Sequence, residues 1–592
     1  MVETICQLFT EKTESYQKDA LMLCKKEGRY TSVSTEEFSQ KVRHFALGLK
    51  ASGFKVGDKL IILSENRPEW VMTDIATLCM GGITVPIYTT LSPEQIKYIV
   101  KDSDSRVVVC SNEELWDKVQ VIKDELPLVS QFITFLDEAP EGVKSFDEVV
   151  ESGKQIASED PESFERSALS VKPSDLASII YTSGTTGEPK GVMLTHDNFI
   201  SNVLSVSAII PISDEDTTLS FLPLSHSYER TVTFALLCHG CTIGYVESMD
   251  TIAENMLEVR PTLVPTVPRM LEKIYARVMD NVLSSSTSKR KIFFWALKTG
   301  KTYASKSLEN RPISGILRFK RSLAHKLVFS KIVEKTGGRI RFFVSAAAPL
   351  SKDIAEFFFA MGIVILEAYG LTETSPAVSF NTLEYVKLGT VGKPIPGVEV
   401  KIAEDGEILI KGPNVMKGYY KKEEETRNAI RGEWFYSGDI GYLDEDGFLV
   451  ITDRKKDIIV TAGGKNVAPQ QIENLLKTNP YITTAVAIGE GRRFMSALIV
   501  PNFEKLEEYA TLNKISYSDR SDLVAKDEIV DFVLSEVNKS LRDLAAYEKV
   551  KKIALLDRDL EISEGEITPT LKVKRNIIEK KYAGKIESLY EE

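Results

Sequence analysis

Residues 181–191, YTSGTTGEPKG, follow the apolar pair Ile179-Ile180 and bring together three glycines, four small hydroxyls and one ammonium. Gly184, Gly187 and Gly191 let backbone approach a polyphosphate. Thr182, Ser183, Thr185 and Thr186 offer donors, and Lys190 offers neutralising charge. A Walker A loop ends Gly-Lys-Ser/Thr, whereas here Lys190 precedes Gly191. The only other candidate, GKT at 300–302, has Trp295 where the upstream glycine belongs. The loop therefore binds an anion by another geometry, and P-loop kinase or GTPase chemistry is set aside. Ser225 lies in no Gly-x-Ser-x-Gly elbow, so a hydrolase is set aside too. Cys238-His239-Gly240-Cys241 has the spacing of half a zinc site with no second pair of ligand spacing, which fits small apolar core residues better than a metal.

The elements that must position this loop alternate. Phe38, Val42, Phe45, Ala46 and Leu49 fall on one helical face. Then come the strand KLIIL, a helix from about 69, a strand at 83–88, a helix from Pro93 and the strand RVVVC. Strand-helix alternation, which returns at 176–275 and 340–370, predicts a parallel sheet with covered faces. LIIL with LCMGGITV (60–63, 78–85) recurs as LSFL with LCHGCTIG (219–222, 237–244), predicting two similar strand-helix-strand units. Beyond about 390, two EDG turns sit between apolar runs and predict hairpins. From 457 the sequence predicts a separate small α+β unit: a helix opened by Pro469 with Ile472, Leu475 and Leu476 inward, the strands TTAVAIG and SALIVP, then polar helices to the end.

A chain of 592 residues is too long for one core and implies at least two domains. Its 43% apolar and 27% charged residues are ordinary for a globular enzyme, and the net charge of -11 disfavours a nucleic-acid partner. Six scattered cysteines do not form a disulfide framework, no signal peptide is visible, and no apolar stretch reaches the roughly 18 residues of a bilayer span. A cytoplasmic location is expected. Residues 289–341 break the acidic trend with fifteen Lys or Arg against Glu309 and Glu334, interleaved with Phe293, Phe294, Trp295, Leu317, Phe319, Leu327 and Phe329. Two readings stand: a helical excursion packing its apolar face on its own domain, or helices lying peripherally on the anionic inner membrane surface. Oligomeric state stays open.

In order along the chain, YTSGTTGEPKG is followed by EAYGLTETSP (367–376), FYSGDIGYLDEDGFLVITDRKKD (435–457) and GEITPTLKVKR (565–575). This set resembles the adenylate-forming superfamily, and FLPLSHSYER (221–230) with VPRMLEKIY (267–275) resembles its long-chain fatty acyl-CoA synthetase branch. The resemblance covers nearly the whole chain. It implies an α/β fold with a large N-terminal body over 1–455 (subdomains about 1–170, 171–385 and 386–455), containing parallel-rich sheets and a small β-barrel-like part. A small mobile α+β C-terminal lid would follow over 457–592, hinged near Lys456. The implied reaction joins ATP and a fatty acid as acyl-AMP, releasing pyrophosphate, and then coenzyme A displaces AMP.

By the same resemblance, residues 182–187 and Lys190 hold the triphosphate, Glu373 helps to hold Mg2+, and Thr372 contacts the α-phosphate. Tyr369 lines the adenine slot, Gly370 is among the nucleotide-binding residues, Asp439 binds the ribose hydroxyls, and Arg454 adds a ribose or phosphate contact. Lys572 is the adenylation lysine, with Lys574 and Arg575 as nearby decoys. Gly463, Gly464 and Lys465 in TAGGKN face the site when the lid turns, and the two glycines leave room for pantetheine. His226 belongs to the substrate region. Ala346 and Ala347 replace two glycines frequent in relatives and put the pocket's detailed shape in question. Alternatives are another carboxylic acid, a carrier protein as acyl acceptor, or an inactive acyl-binding scaffold; a scaffold would need neither Lys572, Glu373, Asp439 nor the phosphate loop.

Overall fold

The computed structural model describes residues 2–182, 188–561, 564–568 and 573–591. The central sheet has eight strands. Leu176–Thr182, Ile83–Ile87, Lys59–Leu63, Val107–Cys110, Gln131–Thr134 and Lys144–Ser145 run parallel in that order. Lys190–Thr195 then pairs antiparallel with Leu176–Thr182, and the two-residue strand Gly418–Tyr419 closes that edge. The parallel strands are buried runs of Ile, Val and Leu because helices cover both faces, including Thr35–Ala51, which buries Phe38, Val42, Phe45, Ala46 and Leu49.

Both expected strand-helix-strand units form. Lys59–Leu63, Pro68–Cys79 and Ile83–Ile87 make one; Thr217–Ser220, Ser227–Cys238 and Thr242–Tyr245 make the other, each with its two strands parallel neighbours. Their helices are joined by a buried ion pair. Arg230 donates to both oxygens of Asp74 at 2.8 and 2.6 Å and to the Ser178 hydroxyl at 2.5 Å, among the rings of Trp70, Phe199 and Phe234. A desolvated charge stripped of its partner is costly. Asp74→Ala is therefore expected to destabilise the body by about 3–5 kcal/mol in urea titrations, and Asp74→Leu with Arg230→Met to recover most of that loss. The cysteines of the CHGC run are free, and among the described residues no group of three metal-ligating side chains occurs.

A five-stranded sheet carries Leu263–Thr266, Phe342–Ser345 and Val364–Gly370 in parallel, then Ala377–Phe380 and Lys393–Pro394 antiparallel. Both EDG turns make hairpins, Glu399–Ile402 with Glu407–Lys411 and Trp434–Leu443 with Leu449–Arg454, inside one antiparallel sheet. Beyond it a second apolar core runs from Ile459 to Ile586. Its sheet joins Ile482–Ile488, Met495–Pro501 and Val550–Leu555, flanked by helices that include Pro469–Lys477. The third strand, VKKIAL, lies where the sequence predicts only helices; it sits at one edge of the sheet, burying Val550, Ile553 and Leu555 while the adjacent Lys551 and Lys552 are exposed at a register shift against Met495 and Ser496. Among the described residues no helix is long and apolar enough to cross a membrane.

Candidate active site

The strand Val364–Gly370 ends in a single tight turn, Thr372–Thr374, after which the chain doubles back. A Cβ on Gly370 would lie 1.8 Å from the Pro376 carbonyl oxygen, so only glycine fits this close return. The turn is pinned from two sides. Asn202 Nδ2 donates to the Ala377 carbonyl at 2.8 Å, and Asn414 Nδ2 donates to those of Thr374 and Ala377 at 3.1 and 3.0 Å. Met416 N donates to the Glu373 carbonyl at 2.8 Å. The Thr372 hydroxyl comes within 3.5 Å of that of Ser227, the first residue of the helix Ser227–Cys238. His226 caps this helix, its Nδ1 accepting from Tyr228 N at 3.1 Å.

Glu373 and Lys190 are bridged by a residue that no motif marks. The Tyr419 hydroxyl donates to Glu373 Oε1 at 3.0 Å, and Lys190 Nζ lies 5.4 Å from the centre of the same ring. Tyr419 reaches both because Gly418–Tyr419 pairs with Lys190–Thr195, with Tyr420 N donating to the Gly191 carbonyl at 2.7 Å. Burial, then the Glu373 carboxylate, raises the Tyr419 hydroxyl well above the ordinary phenol range, so it stays a donor. Gly191 serves packing here: a Cβ there would sit 2.6 Å from Ile179 Cγ2. Ser183, Gly184, Thr185, Thr186 and Gly187 lie outside the described residues, as does Lys572. Thr182 ends its strand beside Lys190, whose carbonyl its hydroxyl meets at 3.5 Å.

The second cluster is built by register. Asp439 pairs opposite Arg454 across the antiparallel hairpin, and Arg454 Nε meets Asp439 Oδ1 at 3.1 Å. The other carboxylate oxygen, Oδ2, accepts from the Tyr369 hydroxyl at 2.6 Å. Asp439 is 4% exposed, so both oxygens are satisfied before any ligand arrives. Burial, the largest single influence, lowers the Arg454 guanidinium, but Asp439, Asp457, Tyr369 and Glu373 together outweigh it and the net shift is upward. Burial, then Asp439, pushes the Tyr369 hydroxyl well up.

Past Arg454, Lys455 is held to the body by Asp405 and Glu407 at 2.6 and 2.8 Å, while Lys456 is exposed. Buried Asp453 accepts from Gln470 N at 3.4 Å, and burial pushes its carboxyl up to about 6. Gly463, Gly464 and Lys465 form an exposed turn between Ile459–Val460 and Asn466–Val467, with Gly464 at φ +70°. Among the described residues this turn makes no hydrogen bond to Glu373, Asp439 or their partners, and Lys465 Nζ lies 5.9 Å from the Tyr547 ring. Ala346 is buried after the strand Phe342–Ser345. Ala347 sits at φ +68°, where a glycine would be unstrained, which is the backbone reason a glycine suits that place.

Residues 9–420 match the AMP-binding enzyme family, and residues 456–592 match the AMP-binding enzyme C-terminal domain. The chain is 35% identical over 567 residues to the long-chain-fatty-acid–CoA ligase FadD15 of Mycobacterium bovis, with 95% of this chain and 93% of that protein covered. It is 32% identical over 597 residues to long-chain-fatty-acid–CoA ligase 5 of Rattus norvegicus, covering 95% and 84%. Among solved structures, the anthranilate CoA ligase AuaEII in complex with anthranoyl-AMP aligns with a TM-score of 0.75 at 18% identity, over 99% of this chain and 98% of that one. A Mycobacterium tuberculosis fatty acyl CoA synthetase aligns at 0.61 and 20%, over 98% and 99%.

Proposed function

The chain belongs to the AMP-binding enzyme family, and from that premise we propose that it is an AMP-forming ligase that joins a long-chain fatty acid to coenzyme A using ATP. In the first half-reaction a fatty carboxylate oxygen attacks the α-phosphorus, the bond to the bridging oxygen breaks, and pyrophosphate leaves. In the second the CoA sulfur attacks the acyl carbonyl and AMP leaves with the electron pair. The observation that carries this reading is that one strand end serves both poles of a nucleotide. Tyr369 holds the carboxylate suited to ribose hydroxyls, and Glu373, four residues on, sits with Lys190 where phosphates would be neutralised.

Asp439 accepts the ribose hydroxyls by exchanging them for the hydrogen bond of Tyr369 or Arg454, whose places are already set. Lys190, with the hydroxyls and amides of 182–187, holds the β- and γ-phosphates, and Thr372 donates to the α-phosphate. Glu373 suits Mg2+, which is commonly held by one or two carboxylates plus substrate phosphates: its Oε1 is oriented by Tyr419, and its Oε2 carries no hydrogen bond among the described residues. Mg2+ bound there would supply charge neutralisation on the phosphates. Lys572 delivers its ammonium to the carboxylate and the α-phosphate. His226 fixes the start of the helix whose Ser227 meets Thr372, and so acts on the substrate region through that helix.

The division into a body over 1–455 and a lid over 457–592 is supported by the second core, and the anchoring of Lys455 to Asp405 and Glu407 supports a pivot at Lys456. Turning there brings Gly463, Gly464 and Lys465 toward the site, where the side-chain-free backbone of the two glycines admits the pantetheine arm. Pyrophosphate exchange measured over acids of two to twenty carbons, with product analysis with and without CoA, tests the assignment. Exchange is expected to be strongest with long-chain acids, with thioester and AMP appearing only when CoA is present. Exchange confined to short or aromatic acids, or acyl transfer only to a carrier protein, would overturn it.

A further inference from the structure

We propose that the outward face of the helix Gly315–Ala324, with the turn His325–Phe329 that follows it, docks onto an anionic lipid surface. The preceding helix, Thr287–Leu308, packs one face inward although Ile292 and Phe294 are exposed: Phe293, Ala296, Thr299 and Gly300 are buried, and a Cβ on Gly300 would lie 2.3 Å from the Ala360 carbonyl oxygen. Gly315–Ala324 packs the other way round. Its inward side carries Arg321, set against the rings of Tyr303 and Phe329, and the buried Ala324. Its strongest apolar residues face away: Ile316 is 72% exposed, Phe319 70% and Leu327 47%, with Leu323 exposed on the same side. Positions 316, 319, 323 and 327 recur at helical spacing, so they form one stripe rather than scattered residues.

Charge decides what covers that stripe. Arg318, Lys320 and Lys326 are exposed around it, and none makes an ion pair among the described residues. Residues 289–341 carry a local charge of about +13 in a chain whose net charge is -11. An apolar stripe flanked by unpaired cations is the surface of an interfacial helix: the apolar side chains enter the acyl boundary while the cations meet anionic headgroups. An uncharged apolar partner would leave these cations without complement, and a second copy would oppose like charge to like across the same patch. Of the two readings the sequence left standing, the buried residues of Thr287–Leu308 favour a packed excursion there, and the outward apolar stripe of Gly315–Ala324 favours the lipid surface.

The test needs no turnover, so its outcome is separate from that of the ligase assignment. The full chain is sedimented with vesicles of phosphatidylcholine alone and with vesicles containing about one third phosphatidylglycerol, and its self-association is measured by analytical ultracentrifugation. The expected result is binding to the anionic vesicles only, reversed by about 0.5 M salt. Ile316→Ser with Phe319→Ser, and separately Arg318→Glu with Lys320→Glu, are each expected to weaken that binding on the order of tenfold, without altering the fold, since all four side chains are exposed. Absence of binding, equal binding to both vesicles, or binding indifferent to both double variants would overturn the proposal. So would a self-associated chain that the Ile316 and Phe319 substitutions break apart, which would make the face a protein interface.

Discussion

Lys572→Ala is expected to slow acyl-AMP formation by about 10²- to 10³-fold while leaving thioester formation from supplied acyl-AMP near the unsubstituted rate. Adenylation brings two anions into contact, a carboxylate and a triphosphate, and an ammonium placed between them stabilises charge where it develops. Thioesterification begins from a mixed anhydride in which that repulsion has already been discharged. The neighbouring cations differ in how they are held. Arg575 is committed to the C-terminal core, donating to Glu473 at 2.6 Å and to the Ala487 carbonyl, with its positive charge favoured by Glu473 despite burial. Lys574 starts the helix Arg575–Lys581, its backbone N bonded to the Glu566 carbonyl at 2.8 Å. Lys574→Ala therefore serves as the control and should stay within a few-fold of the unsubstituted enzyme in both half-reactions. Pyrophosphate exchange reads the first half and single-turnover CoA consumption the second; equal loss in both would remove Lys572 from adenylation.

The parts of the molecule legible in the sequence are those with a local signature. Alternating strands and helices, the paired strand-helix-strand units and the EDG hairpins follow from short-range periodicity and turn chemistry, and all form. Asp439 and Arg454 were both legible as candidates; what was not legible was the registration that sets them opposite one another. Tyr419 was illegible altogether, since it reaches Glu373, 46 residues away, through a strand of only two residues. The single sign was a Gly-Tyr-Tyr run at 418–420, which no local rule ties to the phosphate loop. The helix Gly315–Ala324 shows a different limit. Periodicity reveals that a helix has an apolar face but not which way the face points, and here tertiary packing turned it outward. The strand Val550–Leu555 is illegible because the adjacent Lys551 and Lys552 break its period-two alternation at a register shift, and polar helices surround it.

Glu373→Gln is expected to lower the overall rate by about 10²-fold or more, and Tyr419→Phe by about 10- to 100-fold with a raised requirement for Mg2+. The glutamine keeps the size and one carbonyl oxygen but removes the charge that would hold a divalent cation against the phosphates. The phenylalanine keeps the ring beneath Lys190 and removes only the hydroxyl that orients Glu373 Oε1, so its effect passes through the carboxylate. The two can be told apart by titrating Mg2+ at saturating ATP. Tyr419→Phe should recover most of its rate at high Mg2+, because the charge is intact and only its orientation is loosened, whereas Glu373→Gln should recover little. The double variant should be no worse than Glu373→Gln alone, since a hydroxyl that acts by holding a carboxylate has nothing to hold once the charge is gone. Additive losses in the double variant would mean that Tyr419 acts on the nucleotide by its own contact and not as a positioning residue.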